Sequence, residues 1–76
     1  MELQDFIVKF AGQFDDTDAA DFKKDTEFKE LDEWSSLMAL NIVAMVDEEY
    51  GISLMGDDIR GSETINDLFE KIKTKA

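Results

Sequence analysis

Apolar residues recur every three or four positions in three stretches of the chain, which is the spacing of an amphipathic helix. The first stretch covers residues 3–14, where the spaced apolar side chains are Leu3, Phe6, Ile7, Phe10 and Phe14. The last stretch runs from about Ile65 to Lys73, and Thr64 with Asp67 has the spacing of a capping box at its start. Both stretches are therefore predicted to be helices with one face in the core.

The middle stretch predicts a longer helix from Ser36 to Tyr50, with Ser35 suited to its N-cap and Gly51 to its C-terminal stop. One side of this helix carries Ala39, Ile42, Val43, Val46 and Tyr50, which we assign to the core. The other side carries Leu37, Met38, Asn41, Ala44 and Met45 and is mostly apolar. Such a helix is either buried nearly all round or meets partners with its outer face, and the small size of the chain favours a partner face.

Residues 15–35 lose this periodicity and are rich in aspartate. A long loop inside a compact domain is uncommon, so we expect the apolar Phe22, Phe28 and Leu31 to pin it, or a short helical turn to lie within it. A further single turn fits between Gly56 and Gly61. Residues 1–76 together predict one all-α domain of three main helices, with a short third helix and a long first loop.

The chain carries 19 acidic and 8 basic residues, a net charge of −11 at pH 7. This acidity excludes nucleic acid as a partner and favours proteins with basic surfaces. The chain has no His and no Cys, which removes the commonest catalytic base, thiol nucleophiles and disulfides. We therefore expect that the protein is not an enzyme. A monomer is also expected. The expected location is cytoplasmic, because no stretch resembles a membrane span or a signal peptide.

One acidic stretch invites comparison with a calcium-binding loop. Asp16, Asp18 and Glu27 match the first, third and twelfth positions of an EF-hand. Ala20 and Asp21 occupy the fifth and sixth positions, where a ligand and a glycine are needed. No metal site is therefore predicted.

The middle helix carries a recognisable pattern. Ser35-Ser36-Leu37 is followed by Leu40, Ile42-Val43, Val46 and then Asp47-Glu48-Glu49-Tyr50-Gly51-Ile52. Together with the length, the acidity, the long first loop and Thr64-Ile65 before the last helix, this pattern resembles the acyl carrier protein family. The resemblance implies a four-helix acyl-carrier-like bundle in which Ser36, directly before Leu37, matches the modified serine.

The resemblance also implies the chemistry. A phosphopantetheinyl transferase would attach 4′-phosphopantetheine from coenzyme A to the Ser36 hydroxyl as a phosphodiester. The thiol of this cofactor would then hold an acyl group as a thioester, so the chain itself needs no Cys. Ser35 is the rival attachment site, although its position favours a role as the N-cap. In the family the acyl chain retreats between the helices, into a cavity that we expect to be lined here by Phe28, Val43, Val46, Ile59 and Leu68.

Two departures from the family pattern concern partner recognition. Ser35 replaces the usual aspartate, and Met38 with Asn41 replaces acidic residues that meet basic patches on partner enzymes. Acidic recognition would then fall to Asp32, Glu33, Asp47, Glu48, Glu49, Asp57 and Asp58, with apolar contact from Leu37, Met38 and Met45. We expect a partner choice different from that of a housekeeping fatty-acid carrier, and Met38→Asp with Asn41→Glu to change it. Trp34 is expected either to pack against the loop or to gate the arm.

Three functions follow from these patterns. The first is a carrier of acyl groups between acyl-transferring or synthase enzymes in fatty-acid, lipid or specialised biosynthesis. The second is a helical adaptor without a prosthetic group that binds basic partners through the middle helix. The third is a carrier of an aminoacyl cargo, which differs from the first only in the enzyme that loads the thiol.

Overall fold

Four α-helices make up the computed structural model, which describes residues 2–76. They are α1 (Leu3–Ala11), α2 (Ser36–Tyr50), α3 (Gly56–Arg60) and α4 (Ile65–Lys75), and this part of the chain contains no strand. Helix α1 packs against α4 and α2, and the short α3 packs against α4. The predicted all-α fold, with its long first loop and short third helix, is confirmed.

Helix α1 ends earlier than the prediction of residues 3–14. It stops at Ala11, and the chain continues in tighter turns in which the Phe14 N–H donates to the Ala11 carbonyl at 3.0 Å. Phe14 is nevertheless buried, with its ring against those of Phe10, Phe22 and Trp34. Its helical spacing therefore reflected burial in the core and not membership of the helix.

The first loop contains both features predicted for it, buried apolar anchors and short helical turns. Phe22 and Phe28 are buried in the core, and Leu31 packs against it half-buried. Two short 3₁₀ turns, Ala19–Asp21 and Phe28–Glu30, shape the backbone between them. The loop is thereby held against the helices along most of its length.

Glu33 adds a polar restraint to this loop. Its carboxylate accepts hydrogen bonds from the backbone N–H groups of Asp15 (2.9 Å) and Asp16 (3.0 Å) and from the Thr17 hydroxyl (2.8 Å). Desolvation raises the pKa of Glu33, but these hydrogen bonds outweigh it, so the pKa lies below its ordinary value. The acid that we expected to face partners is thus engaged within the loop.

The loop also closes the start of α4. The N–H groups of Ile65 and Asn66 donate to the carbonyls of Thr26 (3.2 Å) and Lys24 (2.9 Å). The predicted capping box is confirmed at the same end, because the Asp67 N–H donates to the Thr64 hydroxyl and the Thr64 N–H to the Asp67 carboxylate. Helix α4 then continues to Lys75, two residues beyond the predicted end.

The orientation of α2 differs from the prediction, and the predicted exposure of two residues was wrong. Met38 and Met45, which we assigned to the outer face, are only 7% and 5% exposed and lie in the core with Ile42 and Val46. Ala39 and Val43, assigned to the core, are half-buried at its edge. The error arose because α2 is apolar on most of its circumference, so that its sequence periodicity does not single out one face.

Candidate functional site

The start of α2 separates the roles of its two serines. Ser35 has extended backbone angles (φ −159°, ψ 173°), and its hydroxyl accepts a hydrogen bond from the Met38 N–H at 3.2 Å. This confirms Ser35 as the N-cap. Ser36 is the first helical residue and is exposed, and the hydrogen bonds described for residues 2–76 leave its hydroxyl free.

The backbone around Ser36 is suited to an anion. The first N–H groups of a helix have no acceptor within the helix. Here the N–H groups of Ser36 and Leu37 also find no acceptor elsewhere in residues 2–76. No acidic side chain occupies the first turn of α2. Free N–H groups and the positive end of the helix dipole therefore face solvent, which favours a bound phosphate.

A surface depression of about 410 Å³ lies beside Ser36. It is lined by Lys29, Trp34, Ser35, Ser36, Ala39, Gly56, Ile59 and Arg60. Lys29 Nζ donates to the Arg60 carbonyl at 2.9 Å, and the Arg60 guanidinium pairs with Asp57. Two of the few basic side chains of an acidic protein thus border the depression that contains Ser36.

Trp34 forms one wall of this depression and also belongs to the aromatic core. Its ring contacts those of Phe28 (centroids 5.1 Å apart) and Phe14 (6.4 Å). The packing role that we expected for Trp34 is therefore present. A gating role toward the arm stays a prediction.

The exposed face of α2 is narrower than the sequence suggested. Leu37 and Leu40 are 66% and 65% exposed, and Ala44 continues the same strip one turn later. The acidic Asp47 and Glu48 are exposed beyond it, toward the end of the helix. Leu40 was missed as a surface residue, although its position three residues after Leu37 places both on one side of the helix.

The remaining predicted partner residues lie in three different settings. Asn41 is half-buried beside Met38, and Asp57 is exposed but paired with Arg60. Asp58 is largely covered, accepts the Met55 N–H at 2.9 Å and pairs with Lys75 at 3.1 Å. The Met55 hydrogen bond, followed by Lys75, lowers the pKa of Asp58 despite partial desolvation. Asp58 thus stabilises the start of α3.

Lys29 and Arg60 were not identified from the sequence. They are 31 residues apart, on the second 3₁₀ turn and at the end of α3, and no local pattern connects them. Within residues 2–76, no group of His, Cys, Asp or Glu side chains is arranged to hold a metal ion. No helix in the same range is long and apolar enough to cross a bilayer.

Comparison with known families supplies the remaining evidence. The model of the phosphopantetheine attachment site family matches residues 5–72. Comparisons with curated proteins and with solved structures give no match. Carrier domains of this family interact with a phosphopantetheinyl transferase and with synthase enzymes. The chain therefore belongs to the phosphopantetheine attachment site family, as a carrier domain that receives a covalent 4′-phosphopantetheine and is not itself an enzyme.

Proposed function

We propose that Ser36 is the attachment serine and that the chain carries acyl intermediates as thioesters between biosynthetic enzymes. The observation that supports this most directly is the difference between the two serines. The Ser35 hydroxyl is occupied as the cap of α2, whereas the Ser36 hydroxyl is exposed and free. A transferase can therefore reach Ser36 without disturbing the helix.

The residues around Ser36 fit a phosphodiester. The N–H groups of Ser36 and Leu37 are available to its oxygens, and no carboxylate of the first turn competes for them. When bound, the prosthetic group supplies a thiol that forms thioesters. The protein supplies the tether, which raises the effective concentration of the cargo at each partner's active site.

The exposed face of α2 is proposed as the docking surface. Leu37, Leu40 and Ala44 offer apolar contact, and the neighbouring Asp47 and Glu48 offer charge to a basic patch. Met38 and Met45 are excluded from this surface by their burial. Met38→Asp is consequently a poor probe of partner choice, because it would bury a carboxylate in the core.

An acyl cargo, which derives from the family resemblance, and the cytoplasmic location expected above complete the proposal. An aminoacyl cargo needs the same arm and the same thioester. The two are separated by offering the holo protein either fatty acids with an acyl-activating ligase or amino acids with an adenylating enzyme. The proposal predicts acyl loading alone. The unmodified adaptor is disfavoured by the family match over residues 5–72.

The attachment site is tested by intact mass spectrometry after incubation with coenzyme A, Mg²⁺ and a promiscuous phosphopantetheinyl transferase. The wild type and Ser35→Ala are expected to gain one phosphopantetheine each, and Ser36→Ala none. A gain that survives in Ser36→Ala and disappears in Ser35→Ala would move the site to Ser35. If neither this transferase nor a second one adds phosphopantetheine to the folded wild type, the carrier function is contradicted.

The docking surface is tested with Leu40→Ala on the holo protein. We expect at least a ~5-fold loss in affinity for a partner synthase or transferase, because truncating an interface hot spot costs more than about 1 kcal/mol. Val8→Ala is the matched control, since Val8 is an exposed apolar residue of α1. Equal affinities for the two variants would exclude α2 as the docking surface, and Asn41→Glu then tests partner choice separately.

A further inference from the structure

We infer that Lys29 and Arg60 hold the phosphodiester of the arm in the depression beside Ser36, and that Trp34 and Ile59 form the wall and floor along which the arm leaves. This inference rests on the proposed attachment at Ser36. It adds the residues that bind the attached group and so determine where the arm lies when no partner is docked.

The tertiary structure brings the Lys29 side chain to the backbone of Arg60. Lys29 lies on the second 3₁₀ turn of the first loop, and Arg60 is the last residue of α3. The hydrogen bond from Lys29 Nζ to the Arg60 carbonyl joins these elements at the rim of the depression. Both residues therefore line the depression that also contains Ser36.

The charge balance of the protein gives this arrangement its significance. A phosphodiester adds a negative charge to a chain whose net charge is already −11, and most of the surface would repel it. The depression at Ser36 is an exception, because Lys29 and Arg60 line it and no carboxylate does. The local charge is thus complementary to the group that the family attaches.

Both side chains keep donors for the phosphate. An ammonium has three N–H donors, of which Lys29 uses one on the Arg60 carbonyl, and a guanidinium has five. Asp57 is the competing anion, since it pairs with Arg60 in the unmodified protein. Attachment of the arm is therefore expected to weaken the Arg60–Asp57 pair as the guanidinium turns to the phosphate.

The apolar part of the depression suits the pantetheine part of the arm. Trp34, Ala39 and Ile59 supply the apolar part of its lining. A tethered arm enters such a site at high effective concentration without needing a free ligand. Its phosphate end would meet the cations and its pantetheine end the apolar surface.

The test compares the apo and holo proteins by NMR. On loading, the backbone and side-chain resonances of Lys29 and Arg60 are expected to shift together with those of residues 35–37, and the indole N–H of Trp34 to shift as well. The shifts of the two cations should shrink as salt is added, because screening weakens the contact of an exposed ion pair. Shifts confined to residues 35–37 would overturn the inference.

Variants provide a second measurement. Arg60→Gln and Lys29→Gln are expected to move the ³¹P resonance of the attached phosphodiester, whereas Lys23→Gln, the charge-matched control on the exposed loop, should not. An unchanged ³¹P resonance in the Lys29→Gln/Arg60→Gln double variant would also overturn the inference.

These outcomes are distinct from failure of the proposed function. If no phosphopantetheine is added to the wild type, the attachment proposal is wrong. If Ser36 is loaded but the resonances of Lys29, Arg60 and the phosphate are unaffected, only the binding role of the two cations is wrong. A variant that resists loading leaves the apo–holo comparison of the wild type to decide.

Discussion

The starts of α2 and α4 solve the same problem in opposite ways. Every helix begins with N–H groups that have no partner in the helix. At α4 these groups are satisfied by the rest of the protein: Ile65 and Asn66 donate to loop carbonyls, and Asp67 donates to the Thr64 hydroxyl. The start of α4 is closed and holds the first loop in place.

The start of α2 is closed only by its cap. The Ser35 hydroxyl accepts from the Met38 N–H, while the N–H groups of Ser36 and Leu37 have no acceptor within residues 2–76. Lys29 and Arg60 line the depression that contains Ser36. A helix start is available for an anion when the neighbouring loop does not supply acceptors to its N–H groups. In this protein the first loop supplies acceptors to the start of α4 and none to the N–H groups of Ser36 and Leu37, which fits the attachment proposed at Ser36.

The two sides of the first turn of α2 should differ strongly in their contribution to stability. Met38→Ala should lower the free energy of unfolding by about 2–5 kcal/mol, because it leaves a cavity in the core. Leu37→Ala should change it by less than about 0.5 kcal/mol, since Leu37 is largely exposed. Denaturant unfolding followed by circular dichroism measures both.

The loss in Met38→Ala is comparable with the whole stability of a domain of this size. Met38→Leu therefore serves as a second variant, because it conserves volume and should cost under about 1.5 kcal/mol. Equal costs for Met38→Ala and Leu37→Ala would show that the first turn of α2 is not buried on one side.

Loss of either helix cap should cost less stability than Met38→Ala. Ser35→Ala and Thr64→Ala should each cost about 0.5–2 kcal/mol, because each leaves an N–H of its helix without its hydroxyl partner. Thermal unfolding measures this, and Ser53→Ala, at an exposed serine outside the helices, is the control. A cost for Ser35→Ala no larger than for the control would argue that Ser35 is not a working cap, and would reopen it as the attachment site.

A smaller effect tests openness directly. Ser36→Asp places an anion at the open start of α2 and should stabilise the protein by about 0.3–1 kcal/mol at low salt. Asn66→Asp places an anion at the closed start of α4, where Asp67 already lies and the N–H is occupied, so we expect less gain there. Denaturant unfolding at low and high salt compares them, and an equal gain at both positions would break the contrast.

The last effect is a difference in pH dependence between the two caps. Hydrogen bonds from the N–H groups of Thr64 and Glu63 lower the pKa of Asp67 in the folded protein. Its stabilisation is therefore present above the unfolded pKa, near 4, and is lost as the pH falls through the lower folded pKa. The Ser35 cap of α2 does not titrate.

Asp67→Asn keeps an acceptor oxygen and removes the charge, so it isolates this contribution. The difference in Tm between the wild type and Asp67→Asn should be greatest near neutral pH and shrink below about pH 4. The difference between the wild type and Ser35→Ala should stay nearly constant over the same range. A difference in Tm for Asp67→Asn that stays constant with pH would show that the loop carbonyls, and not the charge of Asp67, stabilise the start of α4.

The features that could be read from the sequence are those made by neighbouring residues. The Ser35 cap, the Gly51 stop in left-handed conformation (φ 66°) and the Thr64–Asp67 box each depend on residues a few positions apart, and each is confirmed. The family pattern around Ser36 is equally local. These elements were predictable because capping chemistry needs no knowledge of the rest of the fold.

The features that could not be read depend on distant partners. Phe14 has helical spacing but lies beyond the end of the helix in an aromatic cluster. Glu33 accepts hydrogen bonds from two backbone N–H groups and a threonine hydroxyl that lie 16 to 18 residues away. The orientation of α2 depends on which of several apolar sides the neighbouring helices cover. No periodicity resolves that choice when most sides are apolar.

Composition, helical periodicity and capping residues predicted an acidic, all-helical domain with a serine at the start of α2, because each can be read from the chain without its fold, and the family resemblance added the carrier role. The fold was needed to show that Met38 and Met45 are buried while Leu37 and Leu40 are exposed, and that Lys29 and Arg60 line one depression with Ser36. Those outcomes follow from the packing of elements far apart in the chain, where the burial of one face of a helix is set by its neighbours in space and not by its neighbours in sequence.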